Sequence, residues 1–263
     1  MNESVYIVDG TPSQRHTLGV MGANVLASKT DVAEAVNSRP PASSLWIALH
    51  EVSAHWLAHA LANSSVPVHG RFLAIKEVPP ELATLFADRF DKIALKPHSL
   101  LPVTEILTIF LRDDRDQFCI GGSIDQSAPA IICVRGDFSV ISAPLTFFET
   151  SAGVIPDFDD FEVIDHGRTL RFGKYQATFS ALLYERDIRY RRQLNKTREE
   201  SDRSFSASVR RLRKQRGLKL SDFGVLEKTM ARIERGQVKH PRKRTLIRIA
   251  KLLRVAPEHM ADY

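Results

Sequence analysis

Along the first hundred residues, short apolar runs alternate with amphipathic stretches. Val5-Tyr6-Ile7-Val8-Asp9 is β-branched and aromatic and is bounded by Gly10, which reads as a buried strand. A short run near 24–27, then Leu45-Trp46-Ile47-Ala48-Leu49, Arg71-Phe72-Leu73-Ala74-Ile75 and Lys92-Ile93-Ala94-Leu95-Lys96-Pro97, have the same character. Helices are expected over 13–21, 31–37, 53–62, 80–90 and 103–111. Strands alternating with helices predict a doubly wound parallel α/β sheet. After residue 112 the texture changes. Ala130-Ile131-Ile132-Cys133-Val134 and Phe138-Ser139-Val140-Ile141 predict a hairpin turning at Arg135-Gly136-Asp137. Residues 161–173 predict a second, turning at His166-Gly167, and 177–185 close a small α+β domain.

The last quarter returns to helical spacing. Residues 189–203 are charge-rich with few apolar positions, a solvated helix or linker. Phe205, Val209 and Leu212 then recur at i, i+4 and i+7, the mark of one helix face. Ser204 or Ser206 can cap that helix, and Gly217 ends it. A short segment over 220–223 follows, then a break at Gly224. A helix ending at Gly236, a polar loop and a final helix with Leu246, Ile249, Ala250 and Leu253 buried complete the pattern. Short helices joined by glycine turns describe a helix-turn-helix module.

Charge sharpens this division. The chain of 263 residues has a net charge of +6. Residues 188–263 hold 22 basic and 8 acidic residues, net +14, whereas 1–187 hold 15 and 23, net −8. A basic end on an acidic body points to nucleic acid. No apolar run has the length of a membrane span. Met1-Asn2-Glu3-Ser4 carries no signal-peptide pattern, and the 2 cysteines, Cys119 and Cys133, make no disulfide framework. A soluble, cytoplasmic protein is expected.

In the basic end, Arg213-Lys214-Gln215-Arg216-Gly217-Leu218, Thr229-Met230-Ala231-Arg232-Ile233-Glu234-Arg235-Gly236 and the stretch from Thr245-Leu246 to Val255 resemble the phage repressor/Cro (XRE-type) family over 204–263. Between Gly217 and Glu234 the chain is about four residues shorter than the family pattern, roughly one helical turn. The first half of the helix-turn-helix is therefore expected to be a stub. The resemblance implies a recognition helix over 226–235 entering the major groove. It implies base-reading roles for Glu227, Lys228 and Arg232, since Lys or Arg can bond guanine O6/N7 and Glu can accept from the cytosine amino group. Phosphate contacts are expected from Arg235, Lys239, His240, Arg242 and Lys243, and an ion pair between Arg213 and Glu234. Leu226 stands where the family has a polar cap.

The order of elements in residues 1–112, with Asp9 after the first strand and Lys96-Pro97 after the last, resembles the receiver domain of response regulators. The phosphorylation chemistry is not carried over. A working receiver needs paired acids after its first strand, an Asp after its third and a hydroxyl after its fourth. Here Gly10 follows Asp9, Leu49 or a neighbour stands at the acceptor position, and Ile75-Lys76 replaces the hydroxyl. Residues 113–187 are similar to a small uncharacterised β-rich bacterial domain.

Other constellations carry less. His55 and His59 share a helix face with His50 nearby, yet three residues separate Glu51 from His55 where a zinc-protease helix has two. Asp157, Asp159 and Asp160 lack calcium-loop spacing. Gly121-Gly122-Ser123 is too short for a phosphate loop. No catalytic residue, metal or cofactor is assigned. The expected organisation is multidomain: receiver-like 1–112, small α+β 113–187, charged helical linker 188–203 and all-α helix-turn-helix 204–263. The expected function is a phosphorylation-independent, sequence-specific transcriptional regulator that binds an inverted repeat in double-stranded DNA as a homodimer. The alternative is a DNA-binding antitoxin or accessory protein whose acidic body binds a protein partner.

Overall fold

The computed structural model describes residues 4–8, 18–19, 22–148, 153–238 and 240–261. Asp9, Gly10, Lys239 and most of the helix expected over 13–21 lie outside the described residues. The chain divides into two compact units, Met1–Ile188 and Arg189–Tyr263. Among the described residues no helix is long and apolar enough to cross a membrane.

The first unit holds five parallel strands: β1 Val5–Val8, β2 Asn24–Leu26, β3 Leu45–Ala48, β4 Arg71–Ala74 and β5 Lys92–Leu95. Their spatial order is β2-β1-β3-β4-β5, a doubly wound order. Three helices follow β2, β3 and β4: α1 Lys29–Asn37, α2 Glu51–Ala62 and α3 Pro80–Arg89. Ser28 and Asp31 cap α1 reciprocally, Asp31 N–H donating to Ser28 Oγ and Ser28 N–H to Asp31 Oδ2. Side chains alternate across a strand. Val8, Trp46, Ala48, Phe72 and Ala74 therefore form one layer with Val32, Val36, Leu57, Leu61, Phe86 and Phe90 of the connecting segments. The opposite positions, Ile7, Leu45, Ile47 and Leu73, are equally buried. On that side Arg71 lies 5.2 Å from the ring centroid of Phe110, which belongs to α4 Val103–Phe110.

Two antiparallel sheets follow. β6 Ser99–Leu100, β7 Cys119–Asp125, β8 Ala130–Arg135 and β9 Val140–Pro144 form one in that order. β10 Phe161–Ile164, β11 Thr169–Phe172 and β12 Tyr175–Thr178 form the other, followed by α5 Phe179–Arg186. Fully buried Phe172 gathers Phe148, Phe158, Phe161 and Tyr175 around it. Cys119 and Cys133 are buried and free.

The segments 1–112 and 113–187, read from the sequence as two domains, share one compact unit. The joint is physical. β6 lies before residue 112 and pairs with β7 beyond it, and Ser99 Oγ accepts from Val163 N–H at 2.8 Å. Lys92 Nζ donates to Asp137 Oδ2 at 2.8 Å, and Arg71 Nε to the Asp137 carbonyl at 3.3 Å. The second strand of the first hairpin starts at Val140, not Phe138. Phe138 adopts φ 64° and packs edge-on against Phe110 at 6.4 Å, so its apolar surface serves the turn.

Burial raises the Asp137 pKa, but hydrogen bonds from Lys92 and Ser139 outweigh it and bring the group from 3.8 down to about 2. A depressed carboxylate stabilises the fold above its unfolded pKa and loses that contribution as pH falls through its folded value. The window runs from about pH 4 to about 2. Asp137→Asn is expected to lose about 2 kcal/mol at pH 7. Urea midpoints for the two proteins should converge as pH approaches about 2, and equal midpoints at pH 7 would contradict this.

Candidate nucleic-acid interface

The second unit begins with α6 Ile188–Ser201, whose first residue closes the first unit, and continues with α7 Phe205–Gln215, a 3-10 segment Leu220–Leu226, α8 Glu227–Glu234 and α9 Lys243–Leu253. Ser204 Oγ caps α7 by accepting from Ala207 N–H at 3.3 Å. The segment where the second helix was expected to be a stub is this 3-10 turn. It kinks at Gly224, with φ 51° and ψ −122°, a conformation that glycine adopts without a Cβ clash. At the end of α8, Gly236 N–H reaches the Ile233 carbonyl and Gln237 N–H the Arg232 carbonyl. That double closure is the Schellman pattern, with glycine in the left-handed position. Val209, Leu212, Phe223, Met230, Ile233, Ile249, Ala250, Leu253 and Met260 form the core.

Arg213 and Glu234 sit inside this frame. Arg213 Nε and Nη2 donate to Glu234 Oε1 and Oε2 at 2.6 and 2.9 Å, and Nη1 donates to the Leu218 carbonyl at 2.8 Å. The side chains are 14% and 8% exposed. Hydrogen bonding to Glu234 raises the Arg213 pKa against the opposing effect of burial. Arg210 donates to the Glu234 backbone carbonyl. Two arginines of α7 thus fix the far end of α8, and Arg210 was not singled out from the sequence.

With Met230, Ile233 and Glu234 turned inward, the opposite side of α8 is set. Glu227, Lys228, Ala231, Arg232 and Arg235 fall on an arc of roughly 140° at 3.6 residues per turn. Glu227, Lys228, Arg232 and Arg235 are all exposed. His240, Arg242 and Lys243 are exposed in the loop and at the start of α9. Among the described residues, Lys228, Arg232, Arg235, Arg242 and Lys243 make no ion pair, whereas Lys196, Arg210 and Lys214 do. Leu226 precedes α8 without a side-chain cap bond, and the preceding 3-10 segment takes up the head of that helix instead, the Glu227 N–H donating to the Gly224 carbonyl.

Val225 is the feature the sequence did not mark. It is 87% exposed, between the Gly224 kink and the head of α8, while Phe223 two residues earlier is buried. Spacing could not separate Val225 from Leu226; the kink turns one outward and the other toward the core.

Comparison of the chain with protein-family models, with curated proteins and with solved structures finds no match.

Proposed function

We propose that this protein is a sequence-specific DNA-binding transcriptional regulator, with α8 as its recognition helix. The observation that carries this reading is the exposed polar arc of α8, backed by the core and extended by Arg242 and Lys243, which are exposed and make no ion pair among the described residues. Glu227, Lys228 and Arg232 read base edges. Arg235, Lys239, His240, Arg242 and Lys243 hold phosphates, which position a protein on the duplex without specifying sequence. The net +14 of residues 188–263 drives counterion release on binding. One small module buries little surface, so the protein binds as a dimer on an inverted repeat.

A receiver-like role for residues 1–112 is supported by the strand order β2-β1-β3-β4-β5, which receivers share. After β3 the receiver's acceptor position is taken by buried Leu49, followed by His50 and by Glu51 at the start of α2; with no Asp at that position, the proposed regulation does not pass through an acyl phosphate. The test is selection from a pool of random duplexes with the full chain. One motif with half-sites about 10 bp or a multiple apart is expected. A pool that enriches nothing overturns the reading.

Val225 extends the reading surface. The thymine methyl is the apolar group that the major groove displays, and Val225 is the exposed apolar side chain at the head of α8. Replacing one thymine of the selected site by deoxyuridine is expected to weaken binding roughly three- to tenfold. In Val225→Ala that loss should shrink toward none. An unchanged loss in the variant would remove Val225 from the interface.

A further inference from the structure

A second site lies in the first unit. Thr104, Glu105, Thr108, Ile109 and Arg112 of α4 and the turn after it face Phe118, His166 and Arg168 across a cleft of about 380 Å³. That volume is in the range of small-molecule sites, about 300–1,000 Å³. We propose that this cleft binds a small organic anion, an aromatic or other flat apolar body bearing a carboxylate or a phosphate.

Its two cations share one aromatic ring. The guanidinium carbons of Arg112 and Arg168 lie 4.6 and 5.5 Å from the centroid of Phe118. Two like charges on one ring repel; Asp114 offsets part of this, its carboxyl pKa lowered by Arg112 and also by the charge of Arg168, and a ligand anion between the guanidiniums offsets more. Arg112 spends Nε and Nη2 on Asp114, at 2.7 and 2.9 Å, which orients it and leaves Nη1. Arg168 makes no side-chain hydrogen bond or ion pair among the described residues. Its planar fork is suited to a carboxylate or phosphate. The acid in the cleft, Glu105, is met by His166 Nδ1 at 3.0 Å. Ile109 and Phe118 supply the apolar wall.

The mount is rigid. Asp165, His166 and Gly167 follow one another at φ 53°, 51° and 80°, and non-glycine residues enter that region only against steric cost. A Cβ on Gly167 would stand 2.3 Å from the Cys119 carbonyl oxygen. Cys119 N–H donates to the Gly167 carbonyl at 2.9 Å, and Phe179 N–H to the Arg168 carbonyl at 2.7 Å. The turn that carries His166 and Arg168 is thus pinned on both sides, and little ordering remains for a ligand to impose.

The experiment is calorimetric titration of the full chain at low salt with phenyl phosphate, benzoate and neutral benzyl alcohol. One or both anions should saturate near or below about 1 mM, in keeping with ligands of this size. The alcohol should bind at least tenfold more weakly. Arg168→Gln changes an exposed side chain and leaves the core intact. It should weaken the bound anion roughly tenfold or more, whereas Lys174→Gln, which removes the same charge elsewhere in the unit, should change it little. The proposal fails if neither anion saturates below about 10 mM, if the alcohol binds as well as the anions, or if the two variants behave alike.

Discussion

Glu234→Ala is expected to destabilise the Arg189–Tyr263 unit by about 3 kcal/mol, the largest effect of any single substitution considered. Removing one partner of a buried ion pair costs about 3–5 kcal/mol, because the other charge stays buried and unpaired. Arg213 retains 14% side-chain exposure, which places the loss at the lower end. Its bond to the Leu218 carbonyl survives but does not neutralise it. A domain of this size is stable by only about 5–10 kcal/mol, so the unfolded fraction should rise by more than a hundredfold. Urea unfolding followed through the helical signal measures this. Glu234→Gln, which keeps an acceptor, should lose less. Because the pair is largely dry, added salt should change either loss little. A loss under about 1 kcal/mol for Glu234→Ala would mean that the pair adds nothing to the link between α7 and α8.

Arg232→Ala is expected to lower affinity for the selected site by about 1–3 kcal/mol and to relax discrimination at one base pair. Arg242→Ala is expected to weaken binding to all sequences alike and to reduce the salt slope by about one. The two differ because of their place in the fold. Arg232 is on the exposed arc of α8, turned away from buried Met230 and Ile233, and the proposed docking sets that arc against base edges. Arg242 stands just before α9, beside the path of the backbone in the proposed docking. Affinities for site and scrambled duplex over a salt series separate the effects. Equal weakening of both DNAs by Arg232→Ala would mean that a different face of the module meets the groove.

The parallel strands were legible because each is a compact apolar run closed by punctuation, and β-branched or aromatic side chains there have no other stable place. The first and last helices of the second unit's core were legible through the spacing of Val209 and Leu212 and of Ile249, Ala250 and Leu253, whose core the structure assembles. The shortfall after Gly217 read as a stub of the second helix, and the chain there forms the 3-10 segment Leu220–Leu226. β6 and β7 were not legible. Gly121 and Gly122 look like loop residues, yet both lie within β7. A Cβ on Gly121 would approach the Ser99 carbonyl oxygen to 2.7 Å, and one on Gly122 the Ile132 carbonyl oxygen to 2.7 Å. Glycine there serves the close approach of strands, a demand made by residues distant in sequence. The cleft was hidden for the same reason. Arg112, Phe118 and Arg168 come together only through the packing of α4 against the turn after β10.

The central claim is that α8 reads sequence while the surrounding cations supply affinity. It is tested most directly by the affinity of the full chain for its selected duplex and for a scrambled duplex of equal length across one salt series. The account predicts that both affinities fall steeply and linearly with log salt, while the selected duplex stays about a thousandfold or more tighter throughout. Equal affinities at every salt concentration, or no affinity for either duplex, would contradict it.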